Sequence, residues 1–340
     1  MPERLPPGRP PVVDTHAHLL PREVWHVPGV AGGVRDVDGW AHLGDFPMAV
    51  EVTALADVEV LLADMDRQGI DVRVVSPPPY AFQLGAPEAG AGQWCAEVTA
   101  ALVRACRAAP HRLVPFGTVP VVDEAAAVSG VRSAVAAGAR GIALPPLVGD
   151  VPVGEGAGRA ALLAAAAAAV PVLLHPVQAP GPGLGRHYLR NLLGNPVETA
   201  VGVASLLFEE LTGTPGLRVL AVHGGGCVPA VVGRWDHGWR VRPETGPALA
   251  DAPSRLLRAH EVYADLLTHD PATAAATTRA FGAAHVVLGS DYPFDMGCVD
   301  PVGAARTAGA DLAATSTNAL RWLHGSAPAP RPHTPQEALA

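Results

Sequence analysis

The chain alternates short apolar, β-branched runs with longer Ala- and Leu-rich stretches in which apolar positions recur every three to four residues. Short apolar runs bounded by turn formers predict buried strands, and the longer periodic stretches predict helices. Strands are expected at residues 12–18, 72–76, 113–119, 141–144, 172–175, 218–223, 262–266 and 286–290, and helices at 55–68, 89–108, 124–137, 158–169, 197–211, 228–239, 271–281 and 303–323. Strands alternating with helices predict an α/β fold with a parallel sheet, and eight such units close a (β/α)8 TIM barrel. An open doubly wound sheet is the competing architecture, but no G-x-G-x-x-G follows the first strand. One domain is expected over residues 12–325, with residues 21–54 as a lid or small insertion after strand one. Residues 1–10 and 326–340, rich in Pro and Ala, read as flexible ends.

The polar residues that interrupt this pattern fall at strand ends. His16 and His18 stand one residue apart where the first strand ends. Side chains alternate along a strand, so the two share a face about 7 Å apart, which is half of a divalent-metal site. An H-x-H by itself is equally two polar residues leaving a strand. However, strand five ends at His175, strand six at His223 followed by Gly224-Gly225-Gly226, and strand eight at Asp291. In a barrel these ends meet on one rim, where active sites lie. His16, His18, His175 and Asp291 supply three imidazoles and a carboxylate, a set that suits Zn2+ or a related divalent metal with one position left open. The fourth strand, Arg140 to Pro145, offers no bridging anion, so one metal is expected. His223 is the candidate acid/base, because imidazole exchanges protons near neutrality; a fifth ligand or an orienting group is the alternative. Asp291 could both bind metal and carry a proton.

Composition narrows the chemistry. The chain has 340 residues, 49% of them apolar and 16% charged, with net charge −8 and no basic stripe, so nucleic-acid binding is not expected. All 24 basic residues are arginine. With no lysine there is no Schiff-base lysine, pyridoxal-phosphate anchor, Walker-A lysine or carbamylated lysine bridging two metals. Cys95, Cys106, Cys227 and Cys298 form no C-x-x-C pair, which argues against a disulfide frame or structural zinc site. The N-terminus lacks a signal-peptide core and no run of 18 apolar residues occurs, so a cytoplasmic location is expected.

With these residues in view, the chain resembles the amidohydrolase-related proteins of the 2-amino-3-carboxymuconate-6-semialdehyde decarboxylase type. The resemblance runs from about Asp14 to Leu323. It is carried by Asp14-Thr15-His16-Ala17-His18-Leu19-Leu20-Pro21, Met65-Asp66-Arg67-Gln68-Gly69, His175-Pro176, Asn195-Pro196-Val197-Glu198-Thr199, His223-Gly224-Gly225-Gly226 with Gly233-Arg234, Val262-Tyr263-Ala264-Asp265, and Leu288-Gly289-Ser290-Asp291-Tyr292-Pro293-Phe294. It implies a zinc-dependent barrel that removes a carboxylate without oxygen or an organic cofactor. It further implies His16, His18, His175 and Asp291 as metal ligands and His223 as acid/base. Phe294 would line the pocket, and Arg234 would reach into the partner subunit's site of a homodimer to hold a carboxylate. Tyr188 joins these two as a candidate substrate contact. Two departures stand out: the position of a second carboxylate-gripping arginine is Val52, and the family's Trp-Asp after His-Pro is Val177-Gln178. They point to a small aromatic or unsaturated acid other than the family's dicarboxylated semialdehyde. Hydrolysis of an amide, ester or lactone, or dehydrative ring closure such as benzoxazole formation in natural-product biosynthesis, uses the same metal and base and remains open on sequence.

Overall fold

Eight parallel strands follow one another in chain order around a single sheet: β1 (Val13–Asp14), β2 (Val72–Val75), β3 (Leu113–Thr118), β4 (Gly141–Leu144), β5 (Val172–Leu174), β6 (Val219–Ala221), β7 (Val262–Asp265) and β8 (Val286–Val287). The sheet closes where β8 returns to β1, with the Thr15 N–H donating to Leu288 O (2.9 Å) and the Asp291 N–H to His16 O (2.8 Å). This is the (β/α)8 barrel that the alternating pattern predicts. The computed structural model describes residues 9–25, 33–82, 88–178, 181–245 and 249–325. Apart from Arg9 and Pro10, the expected flexible ends lie outside the described residues.

Each strand sends one side chain into a common interior cluster: Val13, Val74, Phe116, Ala143, Leu173, Leu220, Tyr263 and Val287. Their sequence neighbours face outward against the helices α1 (Val58–Gln68), α2 (Glu88–Cys106), α3 (Glu124–Ala137), α4 (Gly156–Ala167), α5 (Asn195–Phe208), α6 (Val228–Val241), α7 (Pro271–Phe281) and α8 (Leu312–His324). Thus Val172 and Leu174 of β5 pack outward while Leu173 points in, and His175, two residues further on, returns to the interior.

Several element boundaries differ from expectation for identifiable reasons. The helix expected over 55–68 is split, because Asp57 is extended (φ −102°, ψ 119°) between a short helix Val52–Ala56 and α1. The helix expected over 303–323 is two, Pro301–Thr307 and α8. Gly309 (φ 76°) lies between them, and Asp311 caps α8 by accepting the Ala313 N–H (2.9 Å). β6 stops two residues before His223, whose backbone is left-handed (φ 55°, ψ 50°).

Between β1 and the short helix Val52–Ala56, residues Val34–Val37, Trp40–Leu43 and Phe46–Glu51 form a three-stranded antiparallel sheet. Met48 and Val50 of this sheet belong to the cluster against which Tyr80 and Phe294 pack. Among the described residues no helix is long and apolar enough to cross a membrane.

Candidate metal centre

β1 delivers its histidines through a break in the pleat. Strict alternation from Asp14 would put His16 on the same outer face, but Asp14 turns outward to Arg73 while His16 points inward to Asp265 and Asp291. The Asp14 carboxylate makes this possible, accepting the His16 N–H (3.2 Å) and, from β8's extension, the Ser290 N–H (3.0 Å) and the Ser290 hydroxyl (2.6 Å). Arg73 donates to Asp14 at 2.8 Å and to Asp64 of α1 at 2.9 Å, and it is fully buried.

His16, His18, His175 and Asp291 come together as expected, each offering one ligand atom, all within 4.8 Å of one another and all buried. Every imidazole in the set has an acceptor behind its Nδ1. His16 Nδ1 meets Asp265 Oδ2 at 2.9 Å, His18 Nδ1 meets Pro77 O at 3.2 Å, and His175 Nδ1 meets Pro176 O at 2.7 Å. A proton held at Nδ1 leaves the Nε2 lone pair free. Three such lone pairs converge on Asp291 Oδ1, from His18 at 3.0 Å, His16 at 3.4 Å and His175 at 4.0 Å. His16 Nε2 and His175 Nε2 are buried without a hydrogen-bond partner. Acceptors facing acceptors in a buried space are unfavourable unless a cation lies between them, so the donor set fits one divalent metal ion.

In the metal-free protein a proton on His16 stands in for that cation. Burial would push His16 down, but the Asp291 and Asp265 carboxylates outweigh it and raise His16 to about 10. Burial holds His18 below its ordinary value and His175 down at about 3, so neither carries a proton to be displaced at neutral pH. Burial opposes ionisation of Asp291, yet the His16 imidazole and hydrogen bonds to the surrounding histidines keep it well below the usual carboxylate range.

His223 stands beside this cluster, its Nε2 3.4 Å from Asp291 Oδ2 and its side chain partly exposed to the cavity. It sits in a turn of left-handed residues, His223, Gly224, Gly225 and Gly226 (φ 55°, 66°, 74° and 60°), which is why glycines follow it. The cavity is lined by Pro79, Tyr80, His175, Gln178, Tyr188, Asn191, Asn195, His223, Asp291, Phe294, Asp295 and Met296. Tyr188 and Phe294 line it, whereas Arg234 is exposed on α6 and does not line the cavity of its own chain. Tyr80, whose hydroxyl accepts from Gln178 Nε2 at 3.2 Å, and Asn195, whose buried Oδ1 has no hydrogen-bond partner, were not identified from sequence as site residues. Neither were Asn191, Asp295 and Asp265. Asp265 alone had a legible signal, an acidic residue ending an apolar strand on the barrel's catalytic rim.

Comparison with known proteins agrees with this fold. A 2-amino-3-carboxymuconate-6-semialdehyde decarboxylase of Caenorhabditis elegans is 27% identical over 347 residues, covering 84% of this chain and 86% of its own length. The 5-carboxyvanillate decarboxylase of Sphingomonas paucimobilis superposes with a TM-score of 0.77 at 21% identity, covering 92% of this chain and 99% of that one. The 5-carboxyvanillate decarboxylase of Novosphingobium aromaticivorans, solved with manganese and 4-hydroxy-3-methoxy-5-nitrobenzoic acid, superposes at 0.75 with 19% identity, covering 93% and 96%. The amidohydrolase family profile matches residues 13–329, almost the whole barrel. The chain belongs to the amidohydrolase family.

Proposed function

We propose that this protein is a mononuclear, metal-dependent carboxy-lyase that removes CO2 non-oxidatively from a small aromatic or unsaturated carboxylic acid. The observation that carries this reading is the convergence of three Nε2 lone pairs and the Asp291 carboxylate at the barrel mouth, with His223 within reach of the same carboxylate. The decarboxylases named above, which share the fold, support it. His16, His18, His175 and Asp291 would hold the metal, and three imidazoles favour Zn2+. When bound, the metal supplies Lewis-acid polarisation of substrate oxygen.

The chain's own residues do the remainder. The Tyr80 and Phe294 rings, in edge-to-face contact with centroids 6.1 Å apart, form an apolar wall against which a flat acid would lie. As the C–C bond to the carboxylate breaks, its electron pair stays on the substrate carbon. His223 delivers a proton to that carbon and is reprotonated through the open side of the cavity. Asp291, next to His223, is placed to relay that proton.

The wall composition supports a substrate with a single carboxylate. Among the described residues no arginine lines the cavity. Val52 is buried in the apolar cluster with Leu20 and Trp94, and Val177 packs on the interior core, while Gln178 faces Tyr80. An arginine for the substrate's carboxylate is supplied, in this reading, by the partner's Arg234 in a homodimer, because its planar fork grips carboxylates in two places. The test is a panel of hydroxylated and amino-substituted aromatic acids incubated with Zn2+- or Mn2+-loaded protein. Metal-dependent CO2 release from a monoacid is expected; hydrolysis of amides, esters or lactones with no CO2 from any acid would overturn the proposal.

A further inference from the structure

Asp265, at the C-terminal end of β7, is fully buried and uses both carboxylate oxygens. Oδ2 accepts from His16 Nδ1 at 2.9 Å. Oδ1 accepts the Gly224 N–H at 2.8 Å and the Leu267 N–H at 3.2 Å. The Gly224 N–H is the first backbone donor after His223, inside the left-handed turn. One side chain thus holds a metal-site imidazole on one edge and the turn that presents His223 on the other.

We propose that Asp265 is a positioning residue that serves both halves of the site: it keeps the His16 proton on Nδ1, so that Nε2 faces the metal, and it fixes the His223 turn. This rests on the metal-centre reading but not on decarboxylation. Only a carboxylate meets both demands, because all three of its partners are donors and a carboxylate is acceptor on both oxygens. An asparagine offers one acceptor and one NH2. Whichever way its amide turns, either the His16 Nδ1–H or the backbone N–H pair faces another donor. The turn has a second tether, the Thr277 hydroxyl donating to Gly224 O at 3.0 Å, so loss of one bond there need not unfold the region.

Gly289 on the neighbouring strand end belongs to the same device. A Cβ at this position would lie 2.8 Å from Asp265 Oδ2, the oxygen that holds His16. A methyl group there displaces that oxygen while leaving every ligand chemically intact. The glycine before Ser290-Asp291 is therefore required by the seat of a carboxylate on another strand.

The experiment measures Mn2+ affinity by chelator competition on the full chain for wild type, Asp265→Asn and Gly289→Ala, with Tm of each metal-free protein. NMR of the imidazole N–H region accompanies it. The expected result is 10- to 100-fold weaker Mn2+ binding in both variants, the range seen when an orienting partner of a metal-binding histidine is lost. A downfield Nδ1–H resonance of wild-type His16 should vanish in Asp265→Asn. If Asp265→Asn fails to fold, Gly289→Ala carries the test by itself. Wild-type Mn2+ affinity in a folded variant, with the His16 resonance in place, would overturn the proposal. A wild-type chain that binds no metal yet shows that resonance and its loss would instead contradict the metal-centre reading.

Discussion

His16 sits between two carboxylates, and that single placement sets how the centre responds to pH. Its value near 10 lies above the ordinary 6.5. In the metal-free protein its protonated form therefore stabilises the fold fully below pH 6.5, and that contribution is lost as pH rises through about 10. A metal must displace this proton, so affinity should climb with pH by about tenfold per unit up to that value. His18 and His175, already neutral, release none. Calorimetry in two buffers of different ionisation enthalpy should show one proton released per metal bound between pH 7 and 9; none, or three, would contradict this assignment. For His223, replacement by Asn should lower the rate of CO2 release by about 10²- to 10⁴-fold, the usual share of a general acid, while metal content stays at the wild-type level. Residues at strand ends were legible in sequence because the chain marks each with an apolar run. Asn195 and Asp295 were not, since Asn195 opens α5 and Asp295 lies in the loop beyond Asp291, and no strand-end run marks either.

At the scale of elements, the seam between β1 and β8 holds the centre together. Arg73, buried on the outer face, bridges Asp14 of β1 and Asp64 of α1, and Asp14 in turn binds Ser290 beside Asp291. Asp64 keeps Arg67 as a partner, but removing the guanidinium leaves the buried Asp14 carboxylate without a counter-charge, a class of change that destabilises by about 3–5 kcal/mol. Arg73→Met should show that loss in urea denaturation of the metal-free chain; a loss below about 1 kcal/mol would mean the network is solvated or rearranges. The alternation of strands and helices was readable because each barrel strand is buried on both faces and each helix is apolar on one. The break in β1 was not readable. It depends on Asp14 turning outward to an arginine 59 positions away, a contact no local pattern encodes. The same holds for the split helices, where extended Asp57 and left-handed Gly309 override continuous apolar periodicity.

At the scale of the whole molecule, a closed barrel collects on one rim residues that lie up to 275 positions apart, as with His16 and Asp291. The same rim leaves Tyr188, Leu192, Leu193 and Val197 substantially exposed, and Arg234 stands exposed on α6. In the homodimer proposed above, Arg234→Ala and His223→Asn chains should each lack activity and regain it when mixed and allowed to exchange subunits. Failure of mixed chains to recover would place Arg234 outside the partner's site. Beneath that question lies the claim on which every other depends, that one divalent ion sits among His16, His18, His175 and Asp291. An anomalous difference map from Zn2+-loaded crystals, collected at the metal edge, tests it directly. It should show one peak about 2.0–2.2 Å from Nε2 of each of the three histidines and from an Asp291 oxygen; two peaks, or a peak bound elsewhere, would contradict it.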